Sequence, residues 1–116
     1  MQYDLEERSG KFGENVIEFV RSLSMNEITK PIINQLVRSS TSIGANYAEA
    51  NHASSKKDFQ NKISITTKEA NETKYWMRMM EKAVPEKLEE CKKLWQEAHE
   101  LTCIFATIRK KANEKC

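Results

Sequence analysis

The sequence predicts an all-α fold, an antiparallel up-down four-helix bundle, and three observations predict it. Glycine and proline are scarce: only Gly10, Gly13, Gly44, Pro31 and Pro85 punctuate 116 residues, too few for a strand-and-turn fold. Good helix formers (Glu, Lys, Ala, Leu, Met, Gln) are abundant. Four segments carry apolar residues three and four apart, and the stretches between them are short, which forces neighbouring helices to run antiparallel.

The first helix is expected from about Arg8 to Leu23, with Phe12, Val16, Phe19, Val20 and Leu23 on one face. Residues 24–30 read as a connection. Pro31 fits a first-turn position, where its missing N–H costs nothing, so the second helix is expected from there to about Asn51. Its inner stripe is Ile33, Leu36, Val37, Ser40, Ile43, Gly44, Tyr47 and Ala48. Ser55 followed by Asp58 resembles a capping box and opens a third helix running to about Lys82. Phe59, Ile63, Thr66, Ala70, Thr73, Met77 and Met80 form its heptad-like seam. Pro85 opens the fourth helix, whose stripe is Leu88, Cys91, Trp95, Ala98, Leu101, Phe105, Ile108 and Ala112. At about 1.5 Å per residue, the last two helices each span roughly 40 Å.

The length fits a single domain over residues 1–116. Hydrophobic residues at 39% and charged residues at 31% exclude both a membrane protein and a disordered chain. No apolar run approaches the roughly 18 residues needed to cross a bilayer. The beginning, MQYDLEERSG, is acidic and polar, unlike a secretory signal. Cys91, Cys103 and Cys116 form no CxxC, and an odd, irregularly spaced set points to reduced thiols and a cytoplasmic location. With a formal net charge of +2, any affinity for nucleic acid must come from a local patch.

Such a patch exists on the third helix. At 100° per residue, Lys56, Lys57, Lys68, Lys74, Arg78 and Lys82 fall on one flank, and Asp58, Glu69 and Glu72 on the other. The plain reading is a solvated helix with pairs four apart, such as Asp58 with Lys62. The functional reading is a basic stripe that tracks phosphates, repeated by symmetry in an oligomer. The acidic flank also carries Ile65, Trp76, Met79 and Ala83, about 120° from the seam. One bundle does not easily bury both faces, so this stripe is expected to mediate self-association, the alternative being packing inside the same bundle.

The second helix has small residues over Ser39–Ala50, which allow close backbone approach. Arg38, Ser42, Ala45 and Glu49 share its polar face. Arg38 and Glu49 lie about 16 Å apart along the axis, so each needs another partner, either across a symmetric interface or in solvent. There is no glycine-rich phosphate loop and no zinc spacing. His99 and Cys103 share a face of the fourth helix, but two ligands do not make a metal site. Neither His52 nor His99 follows an Arg as in helical ribonucleases of the HEPN type. No enzyme activity and no cofactor are expected.

RSSTSIGANYAEA, SKKDFQNKISI and KEANETKYWMRMM, spanning Arg38 to Met80, resemble a bacterial four-helix-bundle family. Its members include proteins encoded in intervening sequences of large-subunit ribosomal RNA genes. Arg38, Ser42, Ile43, Asn46, Ala48 and Glu49 match its second helix. Ser55, Lys56, Asp58 and Phe59 match the start of its third, and Glu69, Ala70, Glu72, Thr73, Tyr75 and Trp76 the second half. The first helix matches loosely, through RSGKF, and the fourth only in pattern. Ala50 stands where many members have glycine, and Thr66 replaces a common alanine. The resemblance implies an up-down bundle assembling into a homopentameric ring without established enzymatic activity. It also suggests relatives among accessory proteins of diversity-generating retroelements, which bind nucleic acid and a reverse transcriptase through a more basic surface.

The expectation is thus a non-enzymatic homo-oligomer acting as an adaptor for RNA or a ribonucleoprotein. The basic stripe is its contact surface, and Arg38, Ser42, Asn46, Glu49, Ile65, Glu72, Trp76 and Met79 are candidates for the subunit interface. The alternative is a structural or protein-binding ring that takes no nucleic acid.

Overall fold

The computed structural model describes residues 4–114. It contains four helices in the expected order: α1 (Leu5–Arg21), α2 (Thr29–Asn51), α3 (Lys56–Ala83) and α4 (Leu88–Glu114), with one 3-10 turn, Pro85–Lys87, before α4. They form an antiparallel four-helix bundle measuring 49 × 30 × 19 Å. None of the described helices is long and apolar enough to cross a membrane.

Local chemistry sets each helix start. α1 begins three residues earlier than expected, because Asp4 caps it by accepting from the Glu7 N–H at 2.9 Å. It stops at Arg21, where the Ser22 hydroxyl donates back to the Phe19 carbonyl, so Leu23 lies beyond the helix. α2 also begins before Pro31. The Asn26 side chain accepts from the Thr29 N–H, and Thr29 Oγ1 accepts from the Asn26 N–H, both at 2.9 Å. This reciprocal exchange makes a capping box around residues expected as a connection. At α3 the expected cap is present, with Ser55 Oγ accepting from the Asp58 N–H at 3.0 Å.

The core follows the four stripes. Phe12, Val16, Leu36, Ile43, Ile63, Met77, Met80, Leu101 and Phe105 are fully buried. Two positions of the expected α4 stripe need correction. Leu88 is 41% exposed: the 3-10 turn delays α4, and Val84 occupies the buried position at that end. Trp95 is only half-buried. The polar seam residues are satisfied within the bundle. Thr66 and Thr73 donate to the carbonyls four residues earlier, and the Thr73 and Ser39 hydroxyls are hydrogen-bonded at 2.9 Å across the α2/α3 seam. Burying hydroxyls this way avoids the desolvation penalty of unpaired polar groups.

The small residues of α2 serve α1. A Cβ on Gly44 would stand 3.3 Å from the Gly10 backbone nitrogen, so glycine there permits the close α1/α2 approach. The α1/α4 side is looser. A cleft of about 640 Å³ opens there between Phe12, Phe19 and Leu94, rimmed by Lys11, Lys93 and Glu97. Arg8 bridges this seam, with its guanidinium fork on Glu97 (2.6 and 2.7 Å) and a further bond to Glu100 at 2.8 Å.

Candidate nucleic-acid interface

α3 lies between α2 and α4, and its two flanks have different electrostatic fates. On the α2 side the charges are consumed internally. Arg38 does not reach Glu49. It reaches across to α3, bonding Glu69 at 3.1 Å and, more closely, Glu72. Glu49 pairs instead with Lys62 at 2.8 Å, which replaces the Asp58–Lys62 pair suggested by spacing. Both groups that seemed to need a partner across an interface therefore have one in their own chain.

The same network holds Trp76. Its indole N–H donates to Glu72 Oε2 at 3.0 Å, and its ring meets Tyr75 edge-on at 5.0 Å. Trp76 is half-buried against its own core, as is Ala83 further along the stripe; Met79 is half-buried, and Ile65 remains 39% exposed. Glu72 is held below the usual glutamate range, first by the indole hydrogen bond and then by Arg38, against opposition from burial. The Arg38 guanidinium is correspondingly pushed up, chiefly by its bond to Glu72. Ser42 and Asn46 are half-buried and occupied within α2: Ser42 donates to the Arg38 carbonyl and Asn46 to the Ser42 carbonyl.

On the other flank, Lys56, Lys57, Lys68, Arg78 and Lys82 are exposed and make no ion pair among the described residues. Lys68 sits at the boundary, where its charge helps hold Glu72 ionised. Lys74 departs from the expectation. It is half-buried between α3 and α4, with its ammonium 3.2 Å from His99 Nδ1 and 5.4 Å from the centre of the Trp95 ring. It braces an aromatic pair and does not stand free for a phosphate.

The α4 contribution was missed in the sequence because Trp95 was counted as core. Its ring stacks on His99 at 5.1 Å with a 10° interplanar angle. A Trp and a His four apart, among Lys92, Arg109 and Lys110, were the available signal. The last three are all exposed, and Lys92 lines a cleft with Arg78 of α3.

His99 also lies 3.8 Å from Cys103, a spacing that invites a thiol–imidazole reading. The neighbouring group has the wrong sign for it. An ammonium can only donate, so Nδ1 accepts from Lys74, and Nε2 carries the hydrogen that faces sulfur. That tautomer cannot take a proton from the thiol. Cys91 is buried, and burial pushes its thiol up to about 11, the opposite of activation. Among the described residues no three His, Cys, Asp or Glu side chains are grouped to hold a metal. Cys116 lies outside the described residues.

Residues 2–107, nearly the whole chain, match the family described as 23S rRNA-intervening sequence protein. The chain belongs to that family. Among solved structures it is similar to a protein of unknown function from the S23 ribosomal protein family of Bacteroides thetaiotaomicron VPI-5482. The two share 30% sequence identity with a TM-score of 0.81, over 92% of this chain and 99% of the other. No curated protein matches. The intervening-sequence bundle is thus shared over the full length of that relative, and the distribution of charge on α3 and α4 has to carry the functional argument.

Proposed function

We propose that this intervening-sequence protein is a non-enzymatic, self-associating adaptor, a homopentamer, that binds RNA or a ribonucleoprotein along the α3 flank facing α4. One observation carries the reading: Glu69 and Glu72 of α3 are spent on Arg38 of α2, and Lys62 of α3 on Glu49 of α2, whereas Lys56, Lys57, Arg78 and Lys82 have no ion-pair partner among the described residues. A chain with a net charge of only +2 thereby presents a strip in which cations outnumber carboxylates, Glu81 lying in the same cleft as Arg78 and Lys92. Phosphate binding needs local positive charge that can exchange its counterions, and unpaired lysines supply it. Symmetric repetition would multiply the strip. Ile65 and Tyr75, exposed on α3 at 39% and 51%, favour self-association, since large apolar side chains on a charged helix are commoner at interfaces than on free surfaces.

The test is purification without nuclease, reading the 260/280 nm absorbance ratio and the native mass by light scattering together, followed by filter binding of RNA at about 50 and 200 mM salt. The expected result is a mass several times that of the 13.5 kDa chain and RNA retention that falls steeply with salt. A monomer ends the ring, and absence of RNA binding at the lower salt ends the adaptor reading. A co-purifying protein without nucleic acid would favour the alternative, a protein-binding ring.

A further inference from the structure

A cleft of about 510 Å³ lies between α3 and α4, lined by Arg78, Glu81, Lys92, Trp95 and Gln96. Its volume falls within the range of small-molecule sites. The two helices run antiparallel, so the Trp95 indole divides this seam into two levels. On one side, a turn further along α4, are His99 and Lys74, which contact one another. On the other side are Lys92, a turn earlier on α4, and Arg78, a turn later than Lys74 on α3. The His99 stack and the Lys74 ammonium fix the ring from the first side, and the cleft opens on the second.

We infer that this cleft takes one nucleotide of a single-stranded RNA, with its base against the Trp95 indole and its phosphate between Arg78 and Lys92. The inference rests on the RNA-binding reading above and names the unit that is bound. Each lining group has a task in it. An indole fixed by a stacked neighbour is a stacking platform that tolerates any base. Arg78 and Lys92 are exposed and have no ion pair among the described residues, so they are available to a phosphate. The Gln96 amide can donate to or accept from a base edge, and the Glu81 carboxylate can accept from an exocyclic amino group. A base already paired in a duplex cannot turn its face to the indole, so the cleft discriminates strandedness, not sequence.

The experiment compares a fluorescent oligoadenylate of about 12 nucleotides with an RNA duplex of the same length, by anisotropy at about 50 mM salt. Trp95→Ala should weaken oligoadenylate binding about tenfold and leave duplex binding unchanged. Trp95→Phe should retain most of the affinity, and Arg78→Ala should weaken both ligands. Because Trp95 also packs on the core, a second measurement avoids its truncation. In Trp76→Phe the Trp95 indole is the only one left, since the chain has two tryptophans. Its emission should be quenched by oligoadenylate with the same midpoint as the anisotropy. Equal losses for both ligands, or no quenching while RNA still binds, would overturn the nucleotide site and leave the adaptor reading standing. A wild-type protein that binds neither RNA removes both.

Discussion

The two flanks of α3 differ in the sign of most of their charges and, more sharply, in what the neighbouring helix does with them. Each carries long charged side chains on exposed turns, yet one is electrically closed and the other open. The difference comes from the neighbouring helix. α2 offers Arg38 to Glu69 and Glu72, and Glu49 to Lys62, so that flank is neutralised by pairs and capped by the Trp76 indole. α4 offers exposed Lys92, Arg109 and Lys110, and none of them makes an ion pair among the described residues. Whether a lysine is a structural tie or a candidate phosphate contact depends on the helix opposite it, and a one-dimensional charge count cannot register that.

The strongest way to break this contrast is at Trp76, the apolar centre of the closed flank. Trp76→Ala should lower stability by about 2 kcal/mol, the cost of truncating a half-buried aromatic side chain together with the loss of its bond to Glu72. RNA affinity should be unchanged. Thermal melting and light scattering measure this together: a destabilised protein of unaltered mass places the indole in its own core, and dissociation into monomers makes it an interface anchor. A large fall in RNA affinity would refute the separation of the flanks.

A smaller effect is expected at Arg38. It is 44% exposed at the side chain, so Arg38→Gln should cost under about 1 kcal/mol at neutral pH. Its signature lies in the pH dependence. Glu72 is depressed in the folded state, so its contribution is fully present above the ordinary glutamate value of about 4.3. It is lost as pH falls through the lower folded value. The wild type should therefore lose stability more steeply than the variant below about pH 4. Denaturant midpoints between pH 3 and pH 7 compare the two curves, and parallel curves would deny the pair any role in acid sensitivity.

The fold was legible because burial follows helical periodicity. Ile63, Thr66, Ala70, Thr73, Met77 and Met80 are all buried as their spacing required. Helix ends were less legible wherever a side chain reached back to the backbone: Asn26 with Thr29 formed a cap inside an apparent loop, and the turn at Pro85 displaced Leu88 to the surface. For the site, the grouping of charges on α3 could be read from angles alone. Their partners could not, since pairing Arg38 with Glu72 or Lys74 with His99 requires knowing which helices are adjacent and at what height. Trp95 was misplaced for a related reason. A tryptophan at a seam position can sit at the edge of that seam, and its size lets one face pack while the other remains open.

Lys62 gives the narrowest test of the comparison, because it is the half-buried lysine of the α2-facing flank of α3, with Glu49 opposite it. Neutralising a cation that contacts phosphate removes about one counterion from the binding equilibrium. Lys57→Gln and Arg78→Gln should each lower the slope of log affinity against log salt by about 1. Lys62→Gln should leave that slope where it is, because its charge is already committed to a carboxylate on α2. Anisotropy titrations of the same oligonucleotide at four or more salt concentrations, on all three variants, measure the slopes directly. If Lys62→Gln lowers the slope as much as Arg78→Gln does, bound RNA competes successfully with Glu49, and the closed flank is closed only until nucleic acid arrives.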